Sequence, residues 1–202
     1  AVSATDWATW DDTYWFVQNH NAAYREANLN LEALKSLKVN FLGIFDSAGQ
    51  KIWGQLYDFK INQEMVLPEL SGDRWPADHP LVWLPHVDSE ARGLLVTAAG
   101  PLLMAAKPVL TSNREGPVRG SVVLGSFLDS AAIATQTQVN LTISILDDAL
   151  LESAEVAAAV RELGNTGGIV IREGVDTDQV YRVLPDLFGK PAVLLRIDAP
   201  KA

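Results

Sequence analysis

The chain has no cysteine among its 202 residues, and this absence excludes several kinds of chemistry. A disulfide framework, a thiolate nucleophile and a cysteine-ligated zinc site all need sulfur atoms that the sequence does not supply. The three histidines, His20, His79 and His86, contain no pair at the four-residue spacing of a helical metallohydrolase motif. Asp78 and Asp88 lie near the last two, but prolines break that segment. We therefore expect loop residues there, with neither a metal site nor a cofactor.

Basic residues and long apolar runs are also scarce. Sixteen lysines and arginines stand against 25 aspartates and glutamates, and the resulting net charge of −9 disfavours nucleic acid and anionic membrane surfaces as partners. The apolar stretch Leu102–Ala106 falls far short of the roughly 18 residues that a membrane span needs. The chain starts on a helical pattern and stops just after a strand-like run, which is typical of a domain cut between two elements that continue beyond it.

A helical pattern fills the first 36 residues. Apolar, aromatic and asparagine residues recur there at alternating steps of three and four, without proline or glycine. This spacing predicts one helix over 3–36, a rod of roughly 45–50 Å. Asparagine within such a stripe can set the register of paired helices, so we expect a parallel homodimer through this helix. The alternative is a helix packed only on its own sheet. The stripe consists of Trp7, Trp10, Tyr14, Val17, Asn21, Tyr24, Asn28 and Leu31.

Strand-like runs follow the helix and predict an antiparallel sheet. Two runs, at 39–45 and 51–57, are followed by an irregular, proline-rich stretch and then by three more runs, an order typical of a PAS-like sheet. A second helical stripe ends near Gly164 and precedes three short strand-like runs. The predicted fold is α+β, with a long N-terminal helix packed on a PAS-like or Cache-like antiparallel sheet. Its predicted parts are a stalk helix over 1–37, a sensory subdomain over 38–147 and a smaller, membrane-proximal α/β subdomain over 148–202.

Two blocks of the sequence resemble the CHASE extracellular sensory domains of the fourth type. The first is DWATWDDTY at 6–14, with Asn28 later in the same segment. The second lies within 93–125 and contains GPVRGSVVLG at 116–125. The similarity covers residues 5–147, and the closing LRIDAP at 195–200 is similar to the family's return to the membrane.

This resemblance implies a function. Such domains lie between two transmembrane helices of bacterial histidine kinases, diguanylate cyclases and cyclic-di-GMP phosphodiesterases. The chain is thus expected to be the periplasmic portion of an inner-membrane receptor, with an enzymatic output on the cytoplasmic side. The domain itself is expected to be non-catalytic, to bind an unknown small-molecule ligand and to relay the stimulus through the flanking helices.

Seven residues in or beside the predicted strands form the candidate ligand site. Aromatic rings with a few polar groups are what a small-molecule pocket needs, and an arginine or lysine among them can bind a carboxylate. The alternative is that the aromatic rings fill the core and the cations end strands in solvent. The seven are Trp53, Tyr57, Trp83, Arg92, Thr97, Lys107 and Arg119.

Catalysis has little support in the sequence. Asp11 and Asp12 are adjacent, so on a helix their side chains diverge by about 100° and do not face one substrate. The sequence contains neither a Gly-x-Ser-x-Gly motif nor a glycine-rich phosphate loop. Two alternatives to ligand sensing stay open. A periplasmic protein-interaction domain predicts a filled core with a flat apolar patch. A small hydrolase requires that Asp11, Asp88 and the histidines converge in one cleft.

Overall fold

The computed structural model describes residues 4–166 and 168–201, and the chain divides into two compact units. The first unit extends to residue 93 and also includes 97–127. The second contains 94–96 and the chain from 128 onward. None of the described helices is both long and apolar enough to cross a membrane.

The N-terminal segment of the first unit forms short helices, so the predicted single helix over 3–36 is wrong. Residues 1–3 of the predicted stalk lie outside the described residues. The helices are α1 (Ala4–Ala8), α2 (Asp11–Asn19), α3 (Ala22–Asn28) and α4 (Leu31–Leu37).

Asparagine side chains account for the breaks. The Oδ1 atom of Asn21 accepts hydrogen bonds from the backbone N–H groups of Ala23 and Tyr24, at 2.8 and 3.2 Å, and so caps α3. Asn30 caps α4 through one bond of 3.1 Å. A capping side chain gives the amides of a new first turn a partner, which competes with continuation of the previous helix. Because His20 takes a left-handed φ of 52° directly before Asn21, α2 ends there.

The stripe predicted as a dimer seam does not form one face. Tyr14, Val17 and Tyr24 are buried in the core of their own unit. Asn21, which the sequence placed on the same seam, is exposed and engaged in capping. The eight stripe residues therefore cannot meet a second copy together, because several of them already pack inside this chain.

Replacing Asn21 tests the helix break directly. Asn21→Ala removes the N-cap of α3, so the free energy of unfolding should fall by about 1 kcal/mol. In an uninterrupted helix the same change would instead stabilise the protein by up to about 0.7 kcal/mol. Urea unfolding followed by circular dichroism gives the sign. Gln18→Ala, an exposed position inside α2, is the matched control and should change stability by less than about 0.5 kcal/mol.

Six antiparallel strands follow the helices. They lie in the order β3-β2-β1-β6-β5-β4, and the short helix α5 falls between β3 and β4 in the chain. The predicted α+β class with an antiparallel sheet is confirmed. The elements are β1 (Phe41–Asp46), β2 (Lys51–Asp58), β3 (Gln63–Met65), α5 (Pro68–Ser71), β4 (Ala91–Thr97), β5 (Gly100–Pro108) and β6 (Gly120–Phe127).

Alternation along the strands divides this sheet into two faces. Leu42 and Ile44 belong to the core that also contains residues of the N-terminal helices. Phe45 points to the opposite face, where its ring stacks on Trp75 at 4.2 Å, and Trp75 stacks on His79 at 4.4 Å. Trp75 of the proline-rich segment is therefore buried against this second face of the sheet.

The second unit is built on a four-stranded antiparallel sheet in the order β7-β10-β9-β8. Ala159 and Leu163 of helix α8 pack on Tyr181 and Leu194 of this sheet. The predicted subdomain boundary at 147 differs from the observed division, because β7 pairs with β10. The elements are α6 (Ser130–Thr137), β7 (Asn140–Ile145), α7 (Asp148–Leu151), α8 (Ala154–Thr166), β8 (Val170–Arg172), β9 (Thr177–Pro185) and β10 (Pro191–Pro200).

Candidate functional site

The three aromatic residues of the predicted ligand site lie in different surroundings. Trp53 and Tyr57 are on β2 and pack against the core below the N-terminal helices. The Tyr57 hydroxyl donates to Asn62 Oδ1 at 3.1 Å, and its ring contacts Phe59. Trp83 precedes β4 and is 63% exposed. The structure therefore does not gather these rings around one cavity.

Three of the polar residues have partners within the chain. Arg92 and Lys107 both pair with the carboxylate of Glu90. Thr97 is buried, and its hydroxyl donates to the carbonyl oxygen of Gly100 at 2.6 Å, which closes the turn between β4 and β5. None of the seven predicted residues lines any of the four cavities described below. That the seven form the ligand site stays a prediction.

Arg119, the seventh residue, joins the N-terminal helices to the sheet. Its Nε atom donates to the hydroxyl of Tyr14 at 3.1 Å, and its guanidinium lies 5.6 Å from the centre of that ring. Tyr14 also packs closely on Gly116, where a Cβ would lie 3.1 Å from the phenolic oxygen. Gly116 has a φ of 88°, a conformation that suits glycine.

A second set of bonds strengthens the same contact. The backbone N–H of Ser112 donates to Asp11 Oδ1 at 2.8 Å, and the N–H of Asp11 donates to Ser112 Oγ at 3.2 Å. The N–H of Leu110 donates to the carbonyl of Ala8 at 2.9 Å. The two blocks of sequence singled out above thus meet in space. We call this contact the docking junction, formed by Ala8, Asp11, Tyr14, Leu110, Ser112, Gly116 and Arg119.

The turn between α2 and α3 creates a concave site next to the docking junction. It has a volume of about 210 Å³ and exists because the chain reverses at His20 and Asn21. We call it the helix-turn pocket. It is lined by Asp12, Trp15, Phe16, Asn19, Asn21, Tyr24 and Asn28.

The helix-turn pocket combines one carboxylate with aromatic rings. Asp12 is its only charged lining residue, and within the described part of the chain it forms no ion pair. Phe16 stacks on Tyr24 at 4.7 Å, while Trp15 remains 57% exposed. The hydroxyls of Thr13 and Tyr24 share a buried hydrogen bond of 2.6 Å. Burial, with a further contribution from the charge of Asp12, raises the pKa of Tyr24 to about 12, so its hydroxyl is neutral near pH 7.

A second cleft in the first unit, also of about 210 Å³, lies beside β2 and α5. Its lysine, Lys51, donates from Nζ to the carbonyl oxygens of Leu70 and Ser71, each at 3.1 Å. These bonds hold the ammonium group at the end of α5, where a cation is favourable. The lysine thus already has a role in joining β2 to this helix.

The second unit has cavities of about 270 and 380 Å³. The smaller is lined mainly by apolar residues and glycine, including Val160, Leu163 and Val183. Asp198 lines the larger, and Arg196 donates to its Oδ2 at 3.1 Å. The other oxygen, Oδ1, is buried without a hydrogen-bond partner among the described atoms.

The residues considered for metal binding or hydrolysis do not converge. Within the described ranges, no group of three or more histidine, aspartate or glutamate side chains could hold a metal ion. Asp88 pairs with Arg114 at 2.8 Å, whereas Asp11 belongs to the docking junction. His79 accepts a hydrogen bond at Nδ1 from the N–H of Leu81 at 3.2 Å, and burial lowers its pKa. This histidine therefore serves packing.

Residues 1–144 match the family described as the CHASE4 domain. The chain belongs to the CHASE4 domain family. The resemblance inferred from the two sequence blocks is confirmed. The CHASE4 domain is 27% identical over 201 residues to the methanogenesis regulatory histidine kinase FilI of Methanothrix harundinacea (strain 6Ac). That match covers 98% of this chain but 22% of the relative, so the chain spans about a fifth of that kinase.

Solved structures show the same fold. The extracellular domain of vpHK1S-Z8, described as a histidine kinase, has a TM-score of 0.59 at 11% identity, covering 96% of this chain and 81% of that one. A domain of a sensory box/GGDEF family protein from Vibrio parahaemolyticus also has a TM-score of 0.59, at 13% identity, covering 96% and 85%.

The sequence pattern did not predict the helix-turn pocket of the CHASE4 domain. Asp12 and Asn28 stand in the family-like pattern, but a continuous helix would place both of them along one rod. The available signal was Asn21, followed by helix-forming residues, because asparagine favours the first position of a new helix. A predicted helix start at Asn21 would have implied a break between α2 and α3, which is where the chain reverses and where Tyr24 approaches Thr13.

Proposed function

We propose that this CHASE4 domain is the periplasmic ligand-sensing part of a membrane-tethered receptor with an enzymatic output on the cytoplasmic side. The output would be a histidine kinase, a diguanylate cyclase or a cyclic-di-GMP phosphodiesterase, and the domain itself would be non-catalytic. Family membership over 1–144 and the fold shared with an extracellular kinase domain support this proposal.

The docking junction is the observation that carries the proposed relay. Its bonds tie α1 and α2 to the loop before β6, between residues about a hundred positions apart in the chain. A ligand that binds one arrangement of helices and sheet better than another shifts the population of the two, and without such a difference nothing is transmitted. Short helices fixed on a sheet therefore replace the single rigid rod as the proposed route.

A homodimer belongs to this proposal, although not through the whole predicted stripe. Tyr14 and Val17 of the stripe are enclosed in their own unit, whereas Trp10, which also belongs to it, is exposed on the N-terminal segment. The receptor would therefore pair through the outer side of α1 to α4. Sedimentation of the detergent-extracted receptor, with and without Trp10→Ser, tests this arrangement. An unchanged monomer in both samples would count against it.

A periplasmic protein-interaction domain is the second candidate. Ile169, Ile171 and Val175 of the second unit are exposed, at 57%, 53% and 92%, and such residues mark contact surfaces when they lie together. Cross-linking in the periplasm would detect a partner. Loss of that cross-link in Ile171→Ser, without loss of stability, would favour this candidate over a small-molecule sensor.

Thermal shift assays test ligand sensing. The purified chain is screened against amines, carboxylates and amino acids, and a ligand at 100 times its Kd should stabilise it by about 2.7 kcal/mol. For a chain of this size, that corresponds to a rise in Tm of roughly 5–10 °C. No shift with any class would contradict small-molecule sensing.

The relay is tested in the full receptor with the compound found in this screen. Tyr14→Phe removes the hydroxyl that accepts from Arg119, so binding should persist while the output response is weakened. Thr135→Val is the matched control, because it also removes one hydroxyl, whose bond to the carbonyl oxygen of Ala131 lies within α6 and outside the docking junction. An equal response in the wild type and Tyr14→Phe would contradict the relay.

A further inference from the structure

We propose that the helix-turn pocket binds a small organic cation, an alkylammonium compound, between the carboxylate of Asp12 and the indole ring of Trp15. The proposal rests on the ligand-sensing function above and gives it a site and a ligand class.

The charge of the pocket selects a cation. Asp12 supplies one negative charge, and no lysine, arginine or histidine is among the lining residues. Tyr24 adds no charge near neutral pH, because its pKa lies at about 12. The net charge of −9 over the whole chain also favours the approach of cations. An anion would meet the carboxylate without a compensating cation.

The aromatic lining suits an organic cation better than a metal ion. Trp15 lines the pocket and is 57% exposed, which leaves much of its ring available to a ligand. An ammonium group is attracted to the face of an aromatic ring, most strongly to tryptophan. With Asp12 as the only carboxylate in the lining, the pocket lacks the several anionic oxygens that Ca²⁺ requires.

Amide groups supply acceptors for the N–H groups of such a ligand. The Nδ2 of Asn28 donates to the carbonyl of Tyr24 at 3.1 Å, which fixes this amide and leaves its Oδ1 as an acceptor. The Oδ1 of Asn21 is occupied by the cap of α3. The Oδ1 of Asn19 accepts from the N–H of Asn21 at 3.0 Å. One free amide oxygen in a pocket that also contains a carboxylate favours an ammonium ion that retains an N–H group over a quaternary one.

The position of the pocket connects it to the relay. Helix α2 carries Asp12 and Trp15 of the pocket, and it also carries Asp11 and Tyr14 of the docking junction. A ligand bound in the pocket therefore contacts α2, the same helix that the docking junction joins to the sheet. A volume of about 210 Å³ limits the ligand to a small molecule.

Isothermal titration of the purified chain with ethylammonium and with tetramethylammonium tests the proposal. We expect saturable binding of ethylammonium, weaker binding of tetramethylammonium and none of sodium acetate at the same ionic strength. Asp12→Asn should weaken binding at least tenfold, and Trp15→Leu at least fivefold. Asp73→Asn, an exposed carboxylate that lines none of the described cavities, is the matched control and should bind as the wild type does.

Circular dichroism of each variant shows whether it is folded, and Trp15→Leu gives a separate reading should Asp12→Asn unfold. Equal affinity of the wild type and both pocket variants would overturn the cation site, as would acetate binding or the absence of ethylammonium binding. Those results would leave ligand sensing intact, provided that another compound raised Tm in the screen and Tyr14→Phe weakened the response to it.

Discussion

Gly120→Ala is expected to destabilise the first unit by more than about 4 kcal/mol and to leave little folded protein. A Cβ at this position would lie 1.9 Å from the carbonyl oxygen of Phe45 and 2.9 Å from the Cα of Asp46. Both are backbone atoms of β1, which pairs with β6 through Asp46 and Gly120. This pair closes the ladder between the two central strands, and the atoms that a Cβ would meet belong to the backbone, so no flexible side chain can move aside.

Circular dichroism, with thermal and urea unfolding, measures this effect. The matched control is Gly164→Ala in α8, where a Cβ would meet nothing within 4 Å. Alanine loses less backbone freedom than glycine when a helix forms, so this control should stabilise the protein by about 0.5–1 kcal/mol. If the Tm of Gly120→Ala lay within about 2 °C of the wild-type value, the result would contradict the close approach of β1 and β6.

Tyr24→Phe is expected to lower the free energy of unfolding by about 1–3 kcal/mol, because it leaves the buried hydroxyl of Thr13 without a partner. The phenylalanine ring can keep the stack on Phe16. Adding Thr13→Val should recover part of the loss, since removing both hydroxyls leaves no unsatisfied polar group. A double variant that is less stable by the sum of the two single losses would show that the hydroxyls do not interact.

The same residue predicts a dependence on pH. Burial raises the pKa of Tyr24 from 10.0 to about 12, so the folded state holds this proton more tightly than the unfolded state. The contribution of this proton to the free energy of unfolding is fully present below pH 10 and is lost as the pH rises through about 12. The free energy of unfolding should fall by roughly 2–3 kcal/mol over this range. Urea unfolding between pH 9 and 12 should therefore show a steeper decline for the wild type than for Tyr24→Phe.

The strands of the first sheet were predictable because their signal is local. The runs expected at 39–45 and 51–57 appear as Phe41–Asp46 and Lys51–Asp58. Side chains that alternate between two buried faces mark a strand whatever it pairs with. The candidate ligand residues depend on more than this local pattern. Trp53 faces the core under the helices, while Arg92 is held by Glu90, and neither fact follows from a position along a strand.

The first 37 residues show the limit of periodicity. Steps of three and four fit one long helix as well as several short ones, since each short helix preserves the spacing within itself. The choice depends on whether Asn21 and Asn30 stay inside a helix or cap a new one. A cap contributes only about 1 kcal/mol, too little to decide the matter without tertiary contacts. Here the stack of Tyr24 on Phe16 and its bond to Thr13 favour the turn.

The amino-acid sequence was enough to predict membership of the CHASE4 family, the α+β class and the strand pattern, because motifs and alternation are properties of neighbouring residues. Only the tertiary structure revealed the four short helices, the docking junction and the helix-turn pocket. Each of these joins residues that are distant along the chain, as Asp11 and Ser112 are, and such contacts form only when packing brings the segments together. The proposed ligand site therefore depends on tertiary structure, whereas the family can be recognised from the sequence.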